Sequence, residues 1–359
     1  FWQTIKTRNV AQHIGEVTEA VDLMLHAAED VARERVAFSL ASGAPLEQRA
    51  ERLAEVEPLR EQIVGQLDEA TAMLVDAGVA DEENTALLLE EVGISLAELD
   101  EQREAFVGVL LEGDAVGRAA RRMWDDKSFG ALRQLASLVD HVENGVRILD
   151  PLVAQQISVR QNSFTLWELA LREQALFYDA LLSSYGLPGL NLGEVSNLHG
   201  QIKGGWDRLS RLVISSHAAD ELGVALQAAA DNYLEGYLSA AVQLLDERYQ
   251  AEINVSDYQT LSDPAVASLG EIRELAHAIT MEVIDERLGE ANRSMVVQAI
   301  LILVAIGLVT QAFFVMQRRL ARPVTELTGT IKRSSAGELD TGVTLRERQD
   351  EVGWIARAL

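Results

Sequence analysis

No cysteine occurs among the 359 residues, which excludes disulfides, thiolate metal sites and cysteine nucleophiles. Proline is scarce too: the chain has 6, and Pro45, Pro58, Pro151, Pro188 and Pro264 are the ones before residue 294. Long stretches are therefore free of the residue that breaks a helix. Aromatic residues make up only 5%, while Ala, Leu, Glu and Arg abound, a balance that favours long helices over sheet. Basic residues are few beside acidic ones, 31 against 56, for a net charge of −25. A polyanion of this kind argues against nucleic acid as a partner, and against lying flat on anionic lipid.

Charge is missing altogether from Ser294 to Met316, a run of 23 residues followed by Arg318, Arg319 and Arg322. As a helix rising about 1.5 Å per residue, such a run spans the roughly 30 Å of a bilayer's hydrocarbon. It is read as a transmembrane helix. Residues 317–359 carry a net +2, which leaves −27 for the part before the run. Lys and Arg beside a spanning helix mark the cytoplasmic side, so 317–359 is expected inside and the acidic 1–293 outside. The start, Phe1-Trp2 with Lys6 and Arg8, reads as the exit of a preceding membrane helix over 1–12.

The exterior repeats itself. Ala32-Arg33-Glu34 and Phe38 recur as Leu171-Arg172-Glu173 and Phe177, 139 residues on. Leu59, Gln62, Ile63, Gly65 and Asp68 recur as Leu198, Gln201, Ile202, Gly204 and Asp207 at the same offset. Gly130, Arg133 and Leu135 match Gly270, Arg273 and Leu275 at an offset of 140. Shared charged and glycine positions point to a duplicated unit. Apolar residues spaced three and four apart, such as Val17, Val21, Met24, Ala28 and Val31, form narrow seams suited to bundle packing. In the first copy the helices are expected near 10–41, 46–77, 82–112 and 116–150. The fold class is therefore all-α. Two stacked four-helix-bundle modules, 13–151 and 152–293, precede the transmembrane helix 294–316. Pro151 stays open: the seam ending at Leu149 continues in register through Val153 and Ile157, so it is either a kink in one helix or a turn.

Three polar side chains fall on the seams: Arg35, Arg160 and Gln174. An unpaired charge between helices is costly, so either one or more of them bind a small anion or polar ligand, or they form an internal salt bridge or a register-setting polar layer. The six histidines are scattered without metal-ligand spacing. No nucleophile, acid/base pair or phosphate cradle stands out. No catalytic residue, metal or cofactor is expected within the chain.

The last 43 residues carry the most specific pattern. Arg322-Pro323-Val324 is followed by Leu327 and Ile331, then by Gly337, Leu339 and Val343, then by Asp350-Glu351-Val352-Gly353 with Ile355 and Leu359. Pro323 suits the first turn of a helix and Asp350 an N-cap with Glu351 behind it. Val324, Leu327 and Ile331, like Val352, Ile355 and Leu359, are spaced for a packed seam that one pair of short helices cannot bury alone. Two chains could, so a parallel homodimer is expected.

This order of elements beside a membrane helix resembles the HAMP domain, the helix–connector–helix signal relay of bacterial transmembrane receptors. The resemblance implies a bacterial inner-membrane sensor with 1–293 periplasmic and 317–359 cytoplasmic. In the family a four-helix dimeric bundle passes on motion from the membrane helix. Pro323, Val324, Leu327, Ile331, Gly337, Leu339, Val343, Glu351, Val352 and Ile355 would then be relay residues. The output implied is a histidine kinase, a chemoreceptor signalling hairpin or a diguanylate cyclase. In architecture alone, the tandem helical exterior resembles bimodular chemoreceptors, nitrate/nitrite-sensing domains and trimethylamine-oxide sensor kinases. Input would come from a small ligand or a periplasmic binding protein. The rival is a membrane-anchored helical spacer with no ligand.

Overall fold

The computed structural model describes residues 2–54, 56–112, 117–147, 149–183, 185–250, 252–336, 347 and 349–358. Among them all regular structure is helical. The chain divides into a larger compact unit, Thr7–Gly289, and a smaller one made of residues 1–6 and 290–359.

In the larger unit α1 (Trp2–Gly43), α2 (Leu46–Ala54), α3 (Glu57–Asp76), α4 (Glu83–Glu112) and α5 (Arg118–Arg147) come first. They are followed by α6 (Pro151–Leu182), α7 (Leu192–Ile214), α8 (Ala219–Ala229), α9 (Ser239–Asp246) and α10 (Val255–Met316). The breaks fall at the punctuation in the sequence. Pro58 occupies the first turn of α3, and Gly78 leaves its end at φ +73° while Val79 N–H returns to Leu74 O at 2.9 Å.

Pro151 turns the chain. Asp150 caps α6, accepting the Leu152 N–H at 2.8 Å. Arg160 Nε reaches Glu143 Oε1 at 3.0 Å and Gln161 donates to Asp140 at 2.9 Å. In one continuous helix residues 17 or more apart would stand about 25 Å apart or farther. These contacts require α5 and α6 to be antiparallel.

Contacts from α1 run to α3, α4 and α5, and contacts from α6 run to α7, the α8–α9 stretch and α10. Phe38 packs against Phe106 at 5.8 Å and Trp124 at 4.5 Å. Phe177 stacks on Tyr258 at 5.2 Å, and the Tyr258 and Tyr237 hydroxyls share a hydrogen bond of 2.7 Å. Glu34 and Glu173, equivalent in the sequence repeat, are both fully buried. Glu34 takes a two-pronged bridge from Arg103, while Glu173 accepts the Tyr233 hydroxyl at 3.0 Å and pairs with His199. Tyr233 and Tyr237 lie in Ala230–Leu238, which winds as a wider π-type helix joining α8 to α9.

The two helix sets lie flank to flank. α1 and α6 run parallel, as Arg35 to Leu171 and Gly43 to Leu182 show, and α10 is antiparallel to α1. A side chain on Gly43 would collide with Leu182, so glycine lets the ends of α1 and α6 meet. This geometry is compatible with a duplicated bundle stacked laterally.

In the smaller unit, the side chains of the apolar run face outward: Leu303 is 68% and Val309 70% exposed. Thr4 and Gln298 share a hydrogen bond at 3.0 Å. After Met316 the helix does not restart at Pro323. Gln317–Ala321 forms a π-type turn, with the Arg322 N–H bonded to Gln317 O, and α11 (Arg322–Ser335) continues directly. Proline supplies no N–H and crowds the carbonyl four residues back, and the wider turn relieves both.

Replacing Phe38 by Ala should cost about 3–5 kcal/mol, since the aromatic cluster leaves it no room to collapse. Val64→Ala, at a position 57% exposed, should cost less than about 0.5 kcal/mol. Denaturant unfolding of the full chain in detergent measures both, and comparable losses would contradict this core.

Candidate functional site

The three seam residues lie inside the larger unit, each with protein partners. Arg35, 1% exposed, donates to Leu171 O at 3.1 Å, faces Asp125 at 3.6 Å and rests over the Phe129 ring at 4.5 Å. Burial pushes the Asp125 carboxyl up, against the pull of Arg35. Arg160 bridges to Glu143 and faces His277 Nδ1 at 3.1 Å. Gln174 donates to Ser262 Oγ at 2.9 Å and to Asp263 Oδ1 at 2.7 Å, and Asp263 also accepts the Tyr178 hydroxyl at 3.2 Å.

Beside this layer α1, α6 and α10 enclose a cleft of about 590 Å³. Its walls are apolar along Val36, Leu40, Trp167 and Val266, while Gln174 and Asp263 reach it from the buried layer. Arg35 and Arg160 are not among its lining residues. Small residues make the space: Ala32, Ala37, Ala267 and Gly270 stand where longer side chains would fill it.

A charged cluster continues from the cleft, where Glu29 and Glu274 line it. Arg273, 1% exposed, faces Glu29 Oε1 at 3.0 Å and also holds Glu274. His26 stands with Nε2 3.3 Å from Asp22 Oδ2 and Nδ1 3.5 Å from Glu29 Oε2. Hydrogen bonds to Asp22 and Glu29 raise its pKa from 6.5 to about 10. Asp22 Oδ1 is 3.4 Å from His277 Nδ1. For His277 burial prevails: it holds the pKa below 6.5, Arg160 adds to the lowering, and Asp22 opposes it. This cluster escaped the sequence reading. Its local signal is Asp22, His26 and Glu29 on one face of α1, and Arg273, Glu274 and His277 join them from more than 240 residues away on α10.

The second candidate site follows the apolar run. α12 (Glu351–Ala358) packs on α11, burying Leu327 to 5% and Ala356 to 0% exposure. Asp350 caps α12, accepting the Gly353 N–H at 3.1 Å. The HAMP domain family matches residues 315–359. This segment is a HAMP domain. A HAMP domain implies signal transduction in a membrane-associated sensor, and the long apolar helix ahead of it is compatible with one that spans the membrane. No curated protein and no solved structure gives a significant match to the chain.

Of the relay residues expected in the HAMP domain, Leu327 is buried within the chain. Val324, Ile331 and Ile355 are 49%, 44% and 46% exposed, and Trp354, passed over in the sequence, is 71% exposed. Glu351 is exposed at the start of α12, and Pro323 follows the π-type turn. Gly337, Leu339 and Val343 lie outside the described residues, as does the side chain of Val352.

A His277 pKa depressed below 6.5 has a definite sign in stability. The unfolded chain takes up the proton first, so stability is lost as pH falls below about 6.5. His277→Gln should flatten that acid slope. Melting curves between pH 7.5 and about 5 check this, and an unchanged difference between variant and parent would refute it.

Proposed function

We propose that the chain is a transmembrane receptor of the bacterial inner membrane. Residues 1–293 would face the periplasm and 317–359 the cytoplasm, as the arginines after Met316 favour. The observation that carries the reading is helical continuity: Val255–Arg333 forms one helix of 79 residues. Its first turns supply Gln259, Asp263, Val266 and Glu274 to the cleft, its middle is the apolar run, and its end is the first HAMP helix. A ligand or partner protein that biases the packing of α10 against α1 and α6 therefore acts on the same helix that enters the HAMP domain. A bias of about 1–3 kcal/mol between two packings is enough for signalling. A passive spacer needs neither the cleft nor the unbroken helix.

The receptor would work as a parallel homodimer. Val324, Ile331, Trp354 and Ile355 expose apolar surface that a second HAMP pair would bury. The signal would pass to an output of histidine kinase, chemoreceptor or diguanylate cyclase type. A small polar or anionic ligand taken into the cleft, with Gln174 as a contact, fits the input side; Arg35 and Arg160 would then act as the buried layer beneath it.

The cysteine-free chain makes the test direct. Single Cys variants in membranes should label from the cytoplasmic side at Ile331→Cys and from the opposite side at Val64→Cys. Ile331→Cys should also form a disulfide-linked dimer, and adding Pro323→Ala should change its cross-linking rate severalfold. Labelling from one side only, or no dimer, would overturn the proposal. An identical rate with Pro323→Ala would remove the relay from it.

A further inference from the structure

We propose that His26, Glu29 and Glu274 bind a divalent transition-metal cation of the zinc type, which ties α1 to α10 at the edge of the cleft. One donor atom from each residue lies within 4.8 Å of those of the other two. In a tetrahedral site with bonds of about 2.0–2.2 Å the donors stand roughly 3.3–3.6 Å apart. His26 Nδ1 and Glu29 Oε2 are already 3.5 Å apart. Glu274 Oε1 stands 3.9 Å from His26 Nε2 and is held by Arg273, so its carboxylate, 48% exposed, has to leave Arg273 and turn toward Nδ1.

The groups around the trio are those that support a metal. Asp22 Oδ2 stands 3.3 Å from His26 Nε2. A carboxylate accepting the Nε2–H orients the ring, and a cation binding at Nδ1 would displace the proton that Nδ1 shares with Glu29. Arg273 holds Glu29 through Oε1 at 3.0 Å, so Oε2 remains available. Charge points the same way: three carboxylates, Asp22, Glu29 and Glu274, gather around His26, and a dication adds positive charge where they meet. One imidazole with two carboxylates suits zinc and its neighbours, whereas magnesium and calcium prefer all-oxygen sites. The fourth position would be open to water or a cleft ligand, since Glu29 and Glu274 line that cleft.

Binding here stands independently of the receptor proposal. On that proposal, the cation would fix the packing of the helix that continues into the HAMP domain. The test is zinc titration of the full, metal-stripped chain in detergent, read by calorimetry and by melting temperature. One zinc ion per chain and a raised melting temperature are expected. Glu274→Gln and His26→Ala should each weaken binding at least tenfold, and Asp22→Asn about 10–100-fold, the usual effect of losing an orienting carboxylate. His13→Ala, on a half-buried position of α1 away from the trio, should leave zinc binding unchanged. No binding, or binding equally tight in Glu274→Gln and the parent, would overturn the proposal, and Glu274 is exposed enough for that variant to fold. The outcome is separate from membrane topology and HAMP dimerisation, so either proposal can fail alone.

Discussion

Charge buried between helices must find its opposite on another helix, and this constraint organises the larger unit. An isolated ion in a helical interior costs several kcal/mol even after relaxation, so a buried guanidinium admits few arrangements. Arg160 on α6 faces Glu143 on α5, Arg273 on α10 faces Glu29 on α1, and Arg103 on α4 faces Glu34 on α1. Apolar seams of Ala, Val and Leu would tolerate slippage by a turn, because one such side chain packs much like the next. The ion pairs do not, since sliding α10 by one turn would carry Arg273 away from Glu29. Register is thus set by a handful of bridges, and the apolar residues supply the bulk of the burial around them.

That division explains what could be read from the chain. Helix positions, the apolar run, the Asp350 cap and the HAMP domain follow from local rules: spacing, proline, glycine and charge within a few residues. Arg35, Arg160 and Gln174 were legible as polar residues on buried seams, because periodicity alone says which face a residue occupies. Their partners were not legible. Glu143 comes into reach of Arg160 only once Pro151 turns the chain, and the seam running in register across Pro151 concealed that turn. Glu34 and Glu173 stood out as repeated residues, yet repetition does not say that both are fully buried, one against Arg103 and the other against Tyr233 and His199. The cluster around His26 is assembled from opposite ends of the larger unit, and no spacing rule joins residue 26 to residue 274.

The two flanks of the α1–α6 pair are filled differently. Between α1, α5 and α6 the Phe129 ring lies under two guanidinium groups, Arg35 at 4.5 Å and Arg172 at 5.0 Å, and fills the groove. Between α1, α6 and α10 the residue matching Phe129 is Leu269, which is buried, while Ala267 and Gly270 face the groove and open volume remains. A duplicated helical unit left symmetric would have two grooves or none. Open volume is therefore left beside α10 and not beside α5.

Placement beside α10 matters because of how that helix is built downstream. A sharp break after Met316 would let the HAMP helices ignore any change in packing upstream. A straight α-helix through Pro323 would leave a carbonyl without its donor and crowd the ring against the preceding turn. The π-type turn at Gln317–Ala321 keeps the helix continuous while shifting its hydrogen-bond register by one residue. Such a turn rotates the following face relative to the preceding one, so it sets which HAMP residues are presented outward, with Leu327 turned toward α12 and Val324 and Ile331 left uncovered. Proline here thus acts through the helix on its N-terminal side, and the local rule that marks it as a helix start describes only half of what it does.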